Sequence, residues 1–316
     1  MTNETEVLQK DHEVALKEYK EAETKRNERK AQAYGLHVTC MDERDTFSSD
    51  ATGEPLGFLD LFASPGGCLT QNRDPDKGTR TLLDLYGQKI LDAKTAGKKT
   101  VIYLIPHSCA ADSHAGCAAF KSNEEAERIY FAELALSLEL LPELSGTEIF
   151  TCMYDTDSHQ LTPFGGSEVP EFAEQAAERL KNEKGIASAD KTGDWDRLHS
   201  GNRIYVGDLP RAWTPRRNVA YHLYNKMDQQ ELINGIALAC KIIKTHSQVN
   251  LDEKNIVIQL DSHTGEQPAL PFSNQELIEM LNGSLNLKGY ELDPEKIIII
   301  RTQTDPNTWE GDIINT

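Results

Sequence analysis

The sequence predicts an α/β fold: a parallel β-sheet core flanked by helices, built twice in succession and preceded by a helical arm. Three observations carry this reading. Solid apolar runs rich in β-branched residues, such as "KTVIYLI" (99–105), have the composition of strands buried on both faces of a parallel sheet. Segments of helical character separate these runs. The alternation of strand and helix then recurs, in the same order, in the second half of the chain.

The elements follow in order. Residues 4 to 31 read as a charged helix whose sparse apolar residues (Val7, Leu8, Val14, Leu16, Tyr19) suit an arm lying on another surface. "GLHVTC" (35–40) is a strand in which Leu36, Val38 and Cys40 alternate with His37 and Thr39. A Gly/Pro-rich stretch leads to a helix over 80–97, stopped by Gly97. "KTVIYLI" is the central strand. After a polar loop, "SNEEAERIYFAELALSLELL" (122–141) is a helix with Ser122 and Glu125 as a capping box. "TEIFTCMY" (147–154) is a buried strand. The second half supplies strands at 202–211, 254–261 and 295–305, and helices at 229–247 and 274–285.

The halves align locally. "KKTVIYLIPHS" matches "EKNIVIQLDSH", "IFTCMYDTD" matches "IIIIRTQTD", and "LHVTCMDER" matches "RIYVGDLPR". The last pair keeps Arg211 opposite Arg44 but puts Gly207 opposite Cys40 and Leu209 opposite Asp42. The expected organisation is an arm (1–34), a first copy (35–160), a linker (161–200) and a diverged second copy (201–316).

Composition narrows the function. The 316 residues suffice for one large or two medium domains, and 38% hydrophobic content supports a core. The formal charge of −18, from 33 basic and 51 acidic residues, repels nucleic acid and anionic membranes, so neither is an expected partner. No run approaches the roughly 18 apolar residues of a membrane span. The charged start lacks the apolar segment of a secretory signal, so a cytoplasmic protein is expected. Six cysteines scattered over this length suit core positions or metal ligands in a reducing compartment better than disulfides. Cys152 and Cys240 sit in apolar runs and read as packing; Cys68 and Cys109 fall in loops.

Two places carry unusual chemistry. At the end of the first strand, Cys40, Asp42 and Arg44 alternate and so share one face, where they are poor core material. After the central strand comes "IPHSCAADSHAGCAAF" (105–120), with His107, Cys109, His114 and Cys117. Ligands of parallel α/β sheets bind beyond the carboxyl ends of the strands, and both segments lie at that edge. Two thiolates and an imidazole suit zinc. Three protein ligands would leave one position open, as in catalytic rather than structural zinc sites.

Cys-x-Asp-x-Arg on a first strand (Cys40-Met41-Asp42-Glu43-Arg44), followed by His and Cys after a later parallel strand, resembles the β-class carbonic anhydrases. The loop between His107 and the "GCAA" of Cys117, and the "DTD" of Asp155, Thr156 and Asp157, are similar to the carboxysomal shell branch of that class, which also carries a degenerate, zinc-free second copy of its catalytic domain. The resemblance covers residues 35 to 160 by motif and 200 to 316 by architecture. It implies a zinc lyase that hydrates carbon dioxide reversibly to bicarbonate by zinc-bound hydroxide, and a homo-oligomer. It implies Cys40, His107 and Cys117 as zinc ligands, Asp42 as the residue that orients the attacking oxygen, and Arg44 as the clamp on Asp42. His114, which completes a literal His-x-x-Cys with Cys117, is the rival ligand; His107 is preferred because it directly follows the buried strand. The carboxysomal enzymes have a further region ahead of the catalytic domain, where this chain has 34 residues, so a free cytoplasmic enzyme is expected, with carboxysome association as the alternative. A hydrolase of carbon disulfide or carbonyl sulfide on the same site, and a zinc-stabilised scaffold, are the competing functions.

Overall fold

The computed structural model describes residues 3–21, 23–41, 59–70, 73–108, 117, 120, 123–155, 161–166, 202–208, 219–246, 255–286 and 292–314. The protein is α/β, with two mostly parallel sheets flanked by helices. The chain forms two compact units, one of residues 23–191 and one that joins residues 1–22 to residues 192–316. The N-terminal helical segment is therefore two helices, α1 (Asn3–Glu21) and α2 (Glu23–Gln32), which belong to different units.

In the unit of residues 23–191, strands β1 (Ala33–Cys40), β2 (Leu59–Ser64), β3 (Lys99–Leu104) and β5 (Glu148–Asp155) form a parallel core in the order β2-β1-β3-β5. The two-residue β4 (His107–Ser108) adds in parallel to the end of β5, and β6 (Leu161–Pro163) pairs antiparallel with β5. Helix α3 (Pro75–Thr95) links β2 to β3, and α4 (Glu124–Glu139) precedes β5. Local chemistry sets the helix ends. Asp74 caps α3 by accepting the Asp76 and Lys77 amides, with Pro75 in the first turn. Gly97, in the left-handed region at φ 72°, ends it: its amide reaches Lys94 O and the Lys98 amide reaches Ala93 O, both at 2.9 Å. The cap of α4 is Asn123, which accepts the Ala126 amide at 3.1 Å; Ser122 lies outside the described residues.

The other unit repeats the plan. Strands β7 (Arg203–Val206), β8 (Val219–Leu223), β9 (Ile256–His263), β10 (Ile297–Thr304) and β11 (Gly311–Ile314) lie in the order β8-β7-β9-β10-β11, with only β11 antiparallel. Helix α5 (Gln229–His246) links β8 to β9, and α6 (Asn274–Asn286) precedes β10. The order β2-β1-β3-β5-β6 thus maps onto β8-β7-β9-β10-β11, strand for strand and direction for direction. Helix α1 packs on this second sheet: Leu8 shares a core cluster with Tyr205, Val219, Val257 and Ile300, and Asp11 pairs with the buried Arg203 at 3.1 Å.

Strand pairing tests the internal alignment. Leu36 sits opposite Ile102, and Arg203 opposite Val257, which places Gly207 where Cys40 stands. For the last parallel strand the pairing shifts the match by one residue: Val101 faces Glu148, while its counterpart Ile256 faces Ile297, so Glu148 rather than Ile149 corresponds to Ile297. Runs of isoleucine carry no marker of register, whereas backbone pairing does.

Because helices cover the first sheet, both sides of β1 are interior. His37 is fully buried and neither ring nitrogen has a hydrogen-bond partner among the described residues. Burial pushes its pKa down from 6.5 to about 3. The unfolded chain therefore takes up this proton first, and the folding stability that depends on neutral His37 is complete above pH 6.5 and lost below it. Denaturant melts should show stability falling by about 1.4 kcal/mol per pH unit as pH drops from 6.5 toward 3 on account of this group. His37→Leu should flatten that limb. An unchanged acid limb in the variant would contradict the assignment.

Candidate metal centre

The strands β1 and β3 end side by side at the carboxyl edge of the sheet. Cys40 is the last residue of β1, paired with Ser64 of β2, and the next amide, Met41 N–H, donates to Ser64 O at 2.7 Å. The segment after β2 turns back on this point through Gly66 and Gly67, both at positive φ. Ser64 Oγ fixes the turn by donating to Cys68 O at 2.8 Å. A Cβ on Gly67 would lie 2.9 Å from the Phe131 ring and 3.1 Å from the Thr39 carbonyl carbon, so only glycine lets the turn approach the residue before Cys40.

His107 is placed by a change of partner. Ile105 N–H still donates to Val38 O of β1, at 3.2 Å. Pro106 O then accepts the Tyr154 amide, at 2.9 Å, and His107 pairs with Tyr154 of β5. Cys117 is held from the helix side: its amide donates to Glu127 Oε2 of α4 at 3.2 Å, and its carbonyl accepts the Phe120 amide at 2.9 Å.

These anchors bring Cys40, His107 and Cys117 together. Their ligand atoms all lie within 4.8 Å of one another, all three residues are buried, and the group could hold a metal ion. The two sulfurs are 3.5 Å apart, and both cysteines are free. Tetrahedral zinc with Zn–S bonds of about 2.3 Å would set its sulfurs about 3.8 Å apart, so the spacing fits the ion with little movement. The contact with Cys117, then burial, push the Cys40 thiol well above its ordinary range. A thiol that resists ionisation, beside a second sulfur and an imidazole, belongs to the donor set that a divalent metal converts to thiolates, releasing protons.

Of the other residues singled out in the sequence, Asp42, Arg44, Cys109, His114, Thr156 and Asp157 lie outside the described residues, as do Leu209 and Arg211 of the second copy. Asp155 ends β5 opposite Ser108. Phe62 is buried in β2. Cys152 and Cys240 are core residues. Cys68 is buried near the group, within electrostatic reach of Cys40, Glu127 and Arg73, and burial pushes its thiol up to about 12. Arg73, at φ 51°, stacks over Phe120 with its guanidinium carbon 4.6 Å from the ring centre.

Sequence reasoning missed Glu127. It is fully buried on α4, and burial pushes its carboxyl up to about 7. The signal was present. Glu127 shares the buried stripe of Tyr130, Phe131, Leu134 and Leu138, at positions i, i+3, i+4, i+7 and i+11. A carboxylate on an apolar stripe needs a reason.

The second copy lacks the donor at two of the three ligand positions. Gly207 replaces Cys40, and a Cβ there would overlap the ring of Tyr205. Ser262, which pairs with Gln303 as His107 pairs with Tyr154, replaces His107. The Tyr205 hydroxyl instead donates to buried Asp261 at 2.8 Å, and the hydroxyls of Thr302 and Thr304 do so at 2.6 and 2.9 Å. Tyr205 thus takes the space that a side chain at position 207 would need. Among the described residues, Cys40, His107 and Cys117 form the one group able to hold a metal.

No protein-family model matches the chain, and no curated protein matches it. No helix among the described residues is long and apolar enough to cross a membrane.

Two outcomes are expected. Metal analysis of the purified chain should give about one zinc per chain; Cys40→Ser or His107→Ala should abolish it, and His114→Ala should leave it in place. Loss of zinc in His114→Ala with retention in His107→Ala would reverse the assignment. Gly67→Ala should destabilise the protein by about 1–3 kcal/mol in denaturant melts and weaken zinc binding, because the displaced backbone adjoins Cys40.

Proposed function

We propose that the protein is a zinc-dependent carbonic anhydrase of the β class that hydrates carbon dioxide reversibly to bicarbonate. The observation that carries the reading is the buried Cys40–His107–Cys117 group at the carboxyl edge of a parallel sheet, with Cys40 opening the sequence Cys-x-Asp-x-Arg.

The donor set fits zinc: two sulfurs and one imidazole, buried, with a sulfur spacing close to a tetrahedral edge. Held by Cys40, His107 and Cys117, zinc would supply an activated water of lowered pKa. The remaining work falls to the chain. Asp42, two residues after Cys40, accepts a hydrogen bond from the attacking water and turns its lone pair toward the carbon of carbon dioxide. Arg44 holds the Asp42 carboxylate in place with its forked donors. Burial of all three donors keeps bulk water from the group and suits an uncharged substrate.

Stopped-flow hydration of carbon dioxide, with and without a chelator, tests the reading. Activity should depend on the metal. Asp42→Asn should keep zinc and lose about 10²-fold or more of the rate. Arg44→Ala should also keep zinc and lose rate, because an unpinned Asp42 can swing onto the metal. If both variants match the parent rate, the assigned roles fail. A zinc-loaded parent inert toward carbon dioxide but active on carbonyl sulfide or carbon disulfide would reassign the substrate, and one inert toward all three would leave a zinc-stabilised scaffold.

A further inference from the structure

We propose that Glu127 is the positioning residue of the metal centre: its carboxylate anchors the backbone of Cys117 and supplies the buried negative charge that selects a divalent cation. The inference rests on the metal-site reading above.

Three observations support it. The first is the bond itself. Cys117 N–H donates to Glu127 Oε2 at 3.2 Å, and both residues are buried. Glu127 stands in the first turn of α4, whose cap at Asn123 and packing through Tyr130, Phe131 and Leu134 make it a fixed platform. The bond therefore ties a ligand on a connecting segment to a rigid element ten residues further on.

The second is cost. Glu127 Oε1 is buried with no hydrogen-bond partner among the described residues. A carboxylate that is fully buried and accepts one bond is expensive, and at this position of the stripe an aliphatic residue would pack at lower cost. The first turn of α4 does not repay it, since Glu124 and Glu125 already offer acidic groups to the helix N-terminus from less buried positions.

The third is placement. His107, Arg73 and Cys68 all lie within electrostatic reach of the carboxylate. Two thiolates cancel the charge of a divalent ion, and the nearby carboxylate adds negative charge that the Arg73 guanidinium offsets in part. That charge favours a dication over a monovalent ion, and it helps hold the metal at a buried site. Glu127 does not touch reacting atoms in this assignment; it acts through Cys117.

The test uses the full chain, loaded with zinc or with cobalt. Glu127→Gln keeps the shape and an acceptor for Cys117 N–H but removes the charge. Glu127→Leu removes both. Zinc affinity, measured by competition with a chromogenic chelator, should fall about 10- to 100-fold in Glu127→Gln, the usual loss for a group supporting a metal ligand, and further in Glu127→Leu. The cobalt-loaded visible spectrum should stay close to the parent's in Glu127→Gln and shift in Glu127→Leu, where Cys117 loses its anchor. Metal-free thermal stability of Glu127→Gln should equal or exceed the parent's, because a buried charge has gone. A parent that binds zinc while Glu127→Gln binds it equally tightly overturns the role of Glu127 alone. A parent that takes up neither zinc nor cobalt overturns the metal centre and this proposal with it.

Discussion

Parallel pairing of β1 with β3 is the constraint on which the rest depends. Parallel strands end at the same edge, so a residue finishing β1 and a residue just beyond β3 meet although 67 positions separate Cys40 from His107. The break in pairing after Ile105 then turns the chain from β1 toward β5 and sets His107 beside Tyr154. The glycine turn after β2 closes on the same spot from one side, and α4 supplies Cys117's anchor from the other. A buried group of three soft donors is expensive unless an ion gathers it, and here backbone geometry does the gathering.

The two units show how one topology can support or lose such a site. Their sheets have the same strand order and the same antiparallel closing strand. What differs is the filling of the edge. In the first, sulfur and imidazole face one another. In the second, glycine and serine stand at two of the ligand positions, and Tyr205 with Thr302 and Thr304 encloses Asp261 in hydroxyl bonds. Burial still pushes Asp261 up to about 6, so the hydroxyls soften its desolvation without cancelling it. The second copy keeps a polar edge but spends its donors on itself.

Helix α1 adds a feature that periodicity understated. Its apolar residues are few, yet Leu8 and Ala15 are buried, His12 accepts the Gly311 amide, and Asp11 pairs with Arg203. A helix that by hydropathy suits an arm lying on another surface becomes part of a core when a few positions on one face meet a sheet and a buried cation needs a partner.

The sequence by itself determined the α/β class, the doubled order of elements, the stop at Gly97, the burial of Cys152 and Cys240 and the candidacy of Cys40, His107 and Cys117 as donors at one sheet edge. The first four follow from periodicity and local caps, which are short-range properties, and the last from the rule that parallel strands joined by helices end at the same edge. The tertiary structure alone decided the rest. It brought His107 into one group with the two thiols, because pairing beyond Ile105 is long-range. It moved the isoleucine strand of the second copy by one residue, because identical side chains carry no register. It named Asn123 as the cap of α4, gave α1 to the second sheet, and set Glu127 under Cys117, because which carboxylate ends up buried depends on what packs over the helix and not on the helix's own sequence.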